Sequence, residues 1–239
     1  MTKREKIAYA KEKFGVYMGF CDSVFGQDKN VFFESTDSFF EFVCFGNNAA
    51  IRADKAILDW CIENFADVPS SDIMDGECLS ALIIKLREHG KGLSAQELCF
   101  LRLEESNDLQ RYMGFDFEIC GKDMLAELYE SGRFTNALLD YEDGVEMLAI
   151  AAYKDGEIAA LAACVEYYEA FQYIGIDTLD KCRGQGLATH LVKRIALEIE
   201  SRGQMPLYAT WSTNLASVRT ALAAGFVPTW VWYSDENVD

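Results

Sequence analysis

Between residues 147 and 233 the apolar positions change period repeatedly, and each change marks an element. Two apolar runs, 147–153 and 157–167, flank Asp155-Gly156, and an Asp-Gly pair in that setting predicts a tight β-hairpin. A third strand-like run covers 171–179. Helical spacing then holds from Gly186 to about Ser201 and stops before Gly203. Residues 206–211 predict a strand, 214–224 a helix ended by Gly225, and 226–233 a last strand rich in aromatics.

The first half carries weaker patterns. Residues 3–25 have Ile7, Ala10, Phe14, Tyr17 and Met18 at helical spacing. Residues 31–33 and 39–45 predict strands, and Gly46-Asn47-Asn48 predicts a turn that pairs 49–52 back as a hairpin. Asp54 is placed to cap a helix through Phe65, and a further helix is expected over 77–88. Ser94 and Glu97 have capping-box spacing, although the following LCFLRL reads equally as a strand. A helix is expected around 122–131. The polar stretch 104–111 separates the halves and predicts domains at 1–110 and 111–239.

Composition narrows the chemistry. The 239 residues are 50% hydrophobic, enough for packed cores. A net charge of −17 without a basic cluster makes nucleic acid a poor partner and suits a cationic small molecule. The eight cysteines form no C-x-x-C pair and the two histidines are far apart, so zinc-ligand spacing is missing and no metal is expected. Reduced thiols, no signal-peptide core near residue 1 and no run near ~18 apolar residues lead to the expectation of a cytoplasmic protein without a membrane partner.

The informative stretch is CRGQGLATHLV, beginning at Cys182 and joining a strand-like run to a helix. Gly184-x-Gly186-x-x-Thr189 falls one residue short of a dinucleotide fingerprint, and no acid stands at the end of the next strand. A P-loop fails because Gly-Lys-Ser/Thr is missing. The remaining readings are a tight turn and a cradle for a diphosphate at a helix N-terminus, with Arg183 as a fixed cation.

Arg183-Gly184-Gln185-Gly186-Leu187-Ala188 resembles the signature of the GNAT superfamily of acyl-CoA-dependent N-acyltransferases: Gln or Arg, two residues, Gly, one residue, then Gly or Ala. Asn214-Leu215-Ala216-Ser217 and Gly225-Phe226 resemble that superfamily's last helix and following strand. The whole chain is similar to a bacterial subgroup with an added N-terminal region, which carries segments like FFEFVCFGNNAAIRADKAILDW. The resemblance implies a mixed-sheet α/β fold with an additional N-terminal α/β domain, and direct acetyl transfer from acetyl-CoA, as cosubstrate, to an amine. It implies that two neighbouring strands, 171–179 and 206–211, splay to admit pantetheine. Ile176, Asp177 and Thr178 would then pair with the pantetheine arm, amides from Arg183 to Ala188 would hold the diphosphate, and Asn214 and Ser217 would sit beside the arm. Many members have a Tyr seven residues after the Asn as general acid; here that position is Ala221. Tyr233 and Tyr208 are candidate replacements, and Asp177, an acid in an apolar run, is the candidate base. A non-catalytic acyl-CoA-binding module and a protein N-terminal or lysine acetyltransferase stand as alternatives.

Overall fold

Glu5 N donates to Thr2 Oγ1 at 3.3 Å and Thr2 N to Glu5 Oε2 at 2.7 Å, and this capping box starts the first helix. The computed structural model describes all residues except 21–23, 104–108, 110–111, 113, 140, 143–146, 168–169 and 239. In chain order the elements are α1 (Lys3–Tyr17), β1 (Val31–Ser35), β2 (Phe40–Cys44), β3 (Ala49–Asp54), α2 (Lys55–Phe65) and α3 (Gly76–Arg87). Then come β4 (Lys91–Leu93), β5 (Glu97–Arg102), β6 (Asp116–Ile119), α4 (Lys122–Glu130), β7 (Leu148–Lys154), β8 (Glu157–Tyr167) and β9 (Phe171–Thr178). A 3-10 turn (Asp180–Cys182) leads to α5 (Leu187–Ser201), β10 (Met205–Trp211), α6 (Leu215–Ala223) and β11 (Phe226–Asn237).

The chain forms two compact units, and neither is a single stretch of sequence. The first holds 1–99, 210–213 and 228–239; the second holds 100–209 and 214–227. Of the polar stretch 104–111, where the sequence places its boundary, all but Leu109 lies outside the described residues.

In the first unit the strand order is β1-β3-β2-β11, with β4 also on β11. The expected hairpin is present: β2 and β3 pair antiparallel, Phe42 opposite Ile51, while β1 runs parallel to β3. Asp54 caps α2 by accepting from Ala56 N at 2.8 Å. Phe40, Phe42, Ile51, Ile57, Phe65 and Leu82 are fully buried in one core cluster. On the opposite face of β2 and β3 Arg52 and Glu41 are buried as a pair: Arg52 Nε lies 3.0 Å from Glu41 Oε2, Nη2 donates to Asp37 at 2.6 Å, and Nη1 donates to the Met18 carbonyl at 3.1 Å.

In the second unit the order is β10-β9-β8-β7-β6. Asp155 (φ 53°) and Gly156 (φ 82°) form the two-residue loop between Lys154 and Glu157, the left-handed pair that such a turn requires. Apolar residues of β7 and β8, among them Ala149, Ala151, Leu161 and Ala163, cluster with Leu125 and Leu128 of α4. α5 packs on β8 and β9 through Leu187, Leu191, Val192, Ile195, Ala196 and Ile199, a helical stripe whose leucines, isoleucines and valine each contribute roughly 1.5–3 kcal/mol when fully buried.

Several expectations need correction. α1 ends at Tyr17 instead of reaching residue 25, because Gly19 turns left-handed at φ 71°. Residues 97–102 are a strand and Ser94 starts no helix; its backbone N–H donates to the Ser234 carbonyl at 2.9 Å. β4 and β6 were not expected, being only three and four residues long. Among the described residues no helix is long and apolar enough to cross a membrane.

Candidate functional site

The glycine turn occupies the seam between β9 and α5. Gly184 (φ 74°) and Gly186 (φ 80°) are both left-handed, a conformation that costs another residue about 1–2 kcal/mol. Gly186 is the N-cap of α5 and supplies no side-chain acceptor. The first intrahelical bond runs from His190 N to the Gly186 carbonyl at 3.0 Å. Among the described residues no protein acceptor takes the N–H groups of Gly184, Gln185, Gly186, Leu187 or Ala188. Unpaired donors at the positive end of a helix dipole form a site for an anion.

One expected donor is spent. The Arg183 amide donates to the Asp180 carbonyl at 3.2 Å, closing the 3-10 turn, so it cannot join the others. The Arg183 guanidinium is exposed; Nε donates to the Thr178 carbonyl at 3.2 Å and Nη1 pairs with Asp180 at 3.1 Å. That arrangement leaves its remaining donors toward solvent at the mouth of the turn.

β9 and β10 pair in parallel only over Phe171–Met205, Gln172–Pro206 and Tyr173–Leu207. Beyond Tyr173 and Leu207 the two strands no longer pair with each other, while β9 stays paired to β8 as far as Thr178. Beyond Tyr173 the edge of β9 is therefore unpaired to β10, the geometry for an extended ligand to add as a strand at Ile176 and Asp177, although the Thr178 carbonyl is already taken by Arg183 Nε. Free amides, two left-handed glycines and an open edge on one strand–turn–helix suit a diphosphate joined to an extended amide-containing arm, the chemistry of coenzyme A.

The Asp177 carboxylate is already engaged. Oδ2 accepts from Asn136 N at 2.8 Å and Ala137 N at 3.0 Å, and Oδ1 accepts from Asn136 Nδ2 at 2.7 Å. Gly175, on the same face of β9, lies so close to this segment that a Cβ would stand 2.2 Å from the Asn136 carbonyl oxygen. Asp177 thus anchors 136–137 across the strand, a geometry that leaves little of the carboxylate to act as a base. If anchoring is its role, Asp177→Asn lowers stability by about 1–2 kcal/mol, read as a lower melting temperature, while turnover per folded molecule changes little. Intact stability with collapsed turnover would instead identify a base.

Asn214 caps α6, its side chain accepting from Ser217 N at 3.2 Å. Tyr208, next in β10 after the last residue paired to β9, is buried and shares a 2.8 Å hydrogen bond with Ser217 Oγ. Burial pushes its phenol up, opposed by the Ser217 bond. Ala221 is fully buried and offers no hydroxyl, so the general acid has no donor at that position of α6. Tyr233 belongs to the first unit, where its ring meets Phe42 edge-on at 6.0 Å and burial raises its phenol against a hydrogen bond with Gln96. Sequence reasoning missed the Asn136 partnership, because nothing local signals a bond between residues so far apart in the chain.

The family model for GNAT acetyltransferases matches residues 107–232, more than half of the chain. A GCN5-related N-acetyltransferase-like protein from Streptococcus suis shares 18% identity at a TM-score of 0.52, covering 67% of this chain and 69% of that one. A GCN5-related N-acetyltransferase from Sphaerobacter thermophilus shares 13% identity at a TM-score of 0.50, covering 66% and 56%. The chain thus spans little more than half the length of the second; both likenesses concern the fold. The comparison with curated proteins found no match. Family match, glycine turn and strand order agree: the chain belongs to the GNAT acetyltransferase family, with an additional α/β region ahead of the matched segment.

Proposed function

We propose that this protein transfers the acetyl group of acetyl-CoA directly to a primary amine of a small cationic molecule, in the cytoplasm. The observation that carries the reading is the set of unpaired N–H groups from Gly184 to Ala188 beside the open edge of β9. The amides hold the diphosphate, Ile176–Thr178 bind the arm, and the exposed Arg183 adds charge neutralisation. Asn214 and Ser217 lie at the start of α6, where the arm would pass. A neutral acceptor amine forms its N–C bond to the thioester carbonyl carbon and gives up one N–H proton, the C–S bond breaks, and the departing sulfur takes a proton. The net charge of −17 favours a cationic acceptor in the surrounding field.

For the proton donor we favour Tyr208 over Tyr233. Its hydroxyl lies in the same unit as the glycine turn and is polarised by Ser217. A phenol with a raised pKa keeps its proton at neutral pH and is present as a hydrogen-bond donor for the departing sulfur. Tyr208→Phe is expected to lower kcat about tenfold, the worth of ~1.4 kcal/mol, with water protonating in its place. Tyr233→Phe with the larger loss would reverse the assignment. The reading as a whole is tested by free-thiol release from acetyl-CoA across a panel of small diamines, monoamines and lysine peptides. Turnover confined to lysine peptides or protein N-termini would replace the small-molecule acceptor. Acetyl-CoA binding without turnover on any amine would favour a non-catalytic acyl-CoA-binding module, the reading that the buried Ala221 supports.

A further inference from the structure

The Gln185–Gly186 peptide has a partner of its own. The Tyr112 phenol donates to the Gln185 carbonyl. A trans peptide holds its C=O and N–H on opposite sides, so a carbonyl fixed toward Tyr112 aims the Gly186 N–H the other way. The peptide is flanked by Gln185 on one side and by left-handed Gly186 on the other, and the glycine lowers the steric cost of rotating the unit end over end. A flipped peptide would present an oxygen to the diphosphate in place of a donor.

Tyr112 is itself braced. Its ring packs against His190 at 4.9 Å and meets Phe117 edge-on at 6.4 Å, and His190 also lies 4.9 Å from Phe117. His190 in turn is tied to the turn by its backbone bond to Gly186. Burial pushes the His190 imidazolium pKa down and the Tyr112 phenol pKa up, so the stack is neutral and the phenol keeps the proton it donates. The Gln185 side chain folds away, its Nε2 donating to the Lys181 carbonyl at 3.4 Å.

We propose that Tyr112 is a positioning residue for the donor: it locks the Gln185–Gly186 peptide with its N–H toward the diphosphate. The inference rests on the diphosphate reading of the turn. It is tested in the full chain by Tyr112→Phe, which keeps the aromatic stack and removes only the hydroxyl. Affinity for acetyl-CoA is measured by calorimetry, and affinity for S-acetylpantetheine, which lacks the diphosphate, by NMR titration. The expected result is about tenfold weaker acetyl-CoA binding with unchanged S-acetylpantetheine binding. Unchanged affinity for acetyl-CoA, or an equal loss for both donors, overturns the proposal. The underlying reading fails separately: it is lost if Gly186→Glu leaves acetyl-CoA binding intact, whereas a loss there with an indifferent Tyr112→Phe removes only the role of Tyr112.

Discussion

Gly186→Glu is expected to weaken acetyl-CoA binding by more than a hundredfold in calorimetric titration, while the protein stays folded. A Cβ at Gly186 meets nothing within 4 Å, so no steric clash with the core follows. The φ of 80° carries a backbone penalty of about 1–2 kcal/mol for glutamate, small enough for a cooperative melt to survive. The binding loss has two sources. The side chain rises from the N-terminus of α5 into the space the diphosphate needs. Its carboxylate also sets like charges together: at ~4 Å and an effective dielectric near 20, that repulsion is about 4 kcal/mol. Binding by the variant at the level of the parent, with an unchanged circular dichroism spectrum, would place the diphosphate elsewhere and leave the glycines as a turn.

Arg52→Ala is expected to destabilise the first unit by roughly 3–5 kcal/mol, because it strands a buried carboxylate. The Arg52 and Glu41 side chains are 11% and 8% exposed, so water cannot replace the lost partner. The loss should depend on pH. Burial already pushes the Glu41 carboxyl up, and the Arg52 charge is the main influence pulling it back. Without Arg52 the folded-state pKa rises further above the unfolded value. A carboxyl raised in this way contributes stability that is fully present below the unfolded pKa and lost as pH rises through the folded pKa. Urea midpoints of parent and variant should therefore lie closest near pH ~4 and separate towards pH ~8. Arg52→Ala combined with Glu41→Ala should recover part of the difference, since the stranded charge is gone. A pH-independent loss of about 1 kcal/mol would mean that water joins Ser38, whose Oγ already donates to Glu41 Oε2 at 3.0 Å, in serving the carboxylate.

The elements most legible in the sequence are those whose local chemistry leaves one solution. Asp155-Gly156 allows a two-residue hairpin, and the stripe from Leu187 to Ile199 has one helical face. The glycine turn was legible for a related reason, since both glycines occupy backbone conformations that other residues avoid. Long-range partnerships were hidden. Asp177 as an acid in an apolar run is equally consistent with a base and with an anchor, and only the approach of Asn136 separates the two. Tyr112 carried no signal at all, because its partner is a backbone carbonyl in a distant segment. The Arg183 amide was miscounted for a local reason: the 3-10 turn over Asp180–Cys182 is too short to leave a periodic trace.

The return of β11 to the first unit bears on how this chain acquires its structure. β2 has β3 on one side and β11 on the other, and Phe42 stands opposite Tyr233. β4 pairs with β11 as well, Leu93 opposite Asp235. A ribosome emitting this sequence releases β2, β3 and β4 long before their shared neighbour exists. Until then an apolar strand edge stays open through most of synthesis, during which the residues of the second unit emerge and can fold. High contact order of this kind slows the final step and prolongs exposure to edge-to-edge association. Released chains truncated after residue 227 should therefore contain a protease-resistant second unit joined to a first unit still open to chaperones.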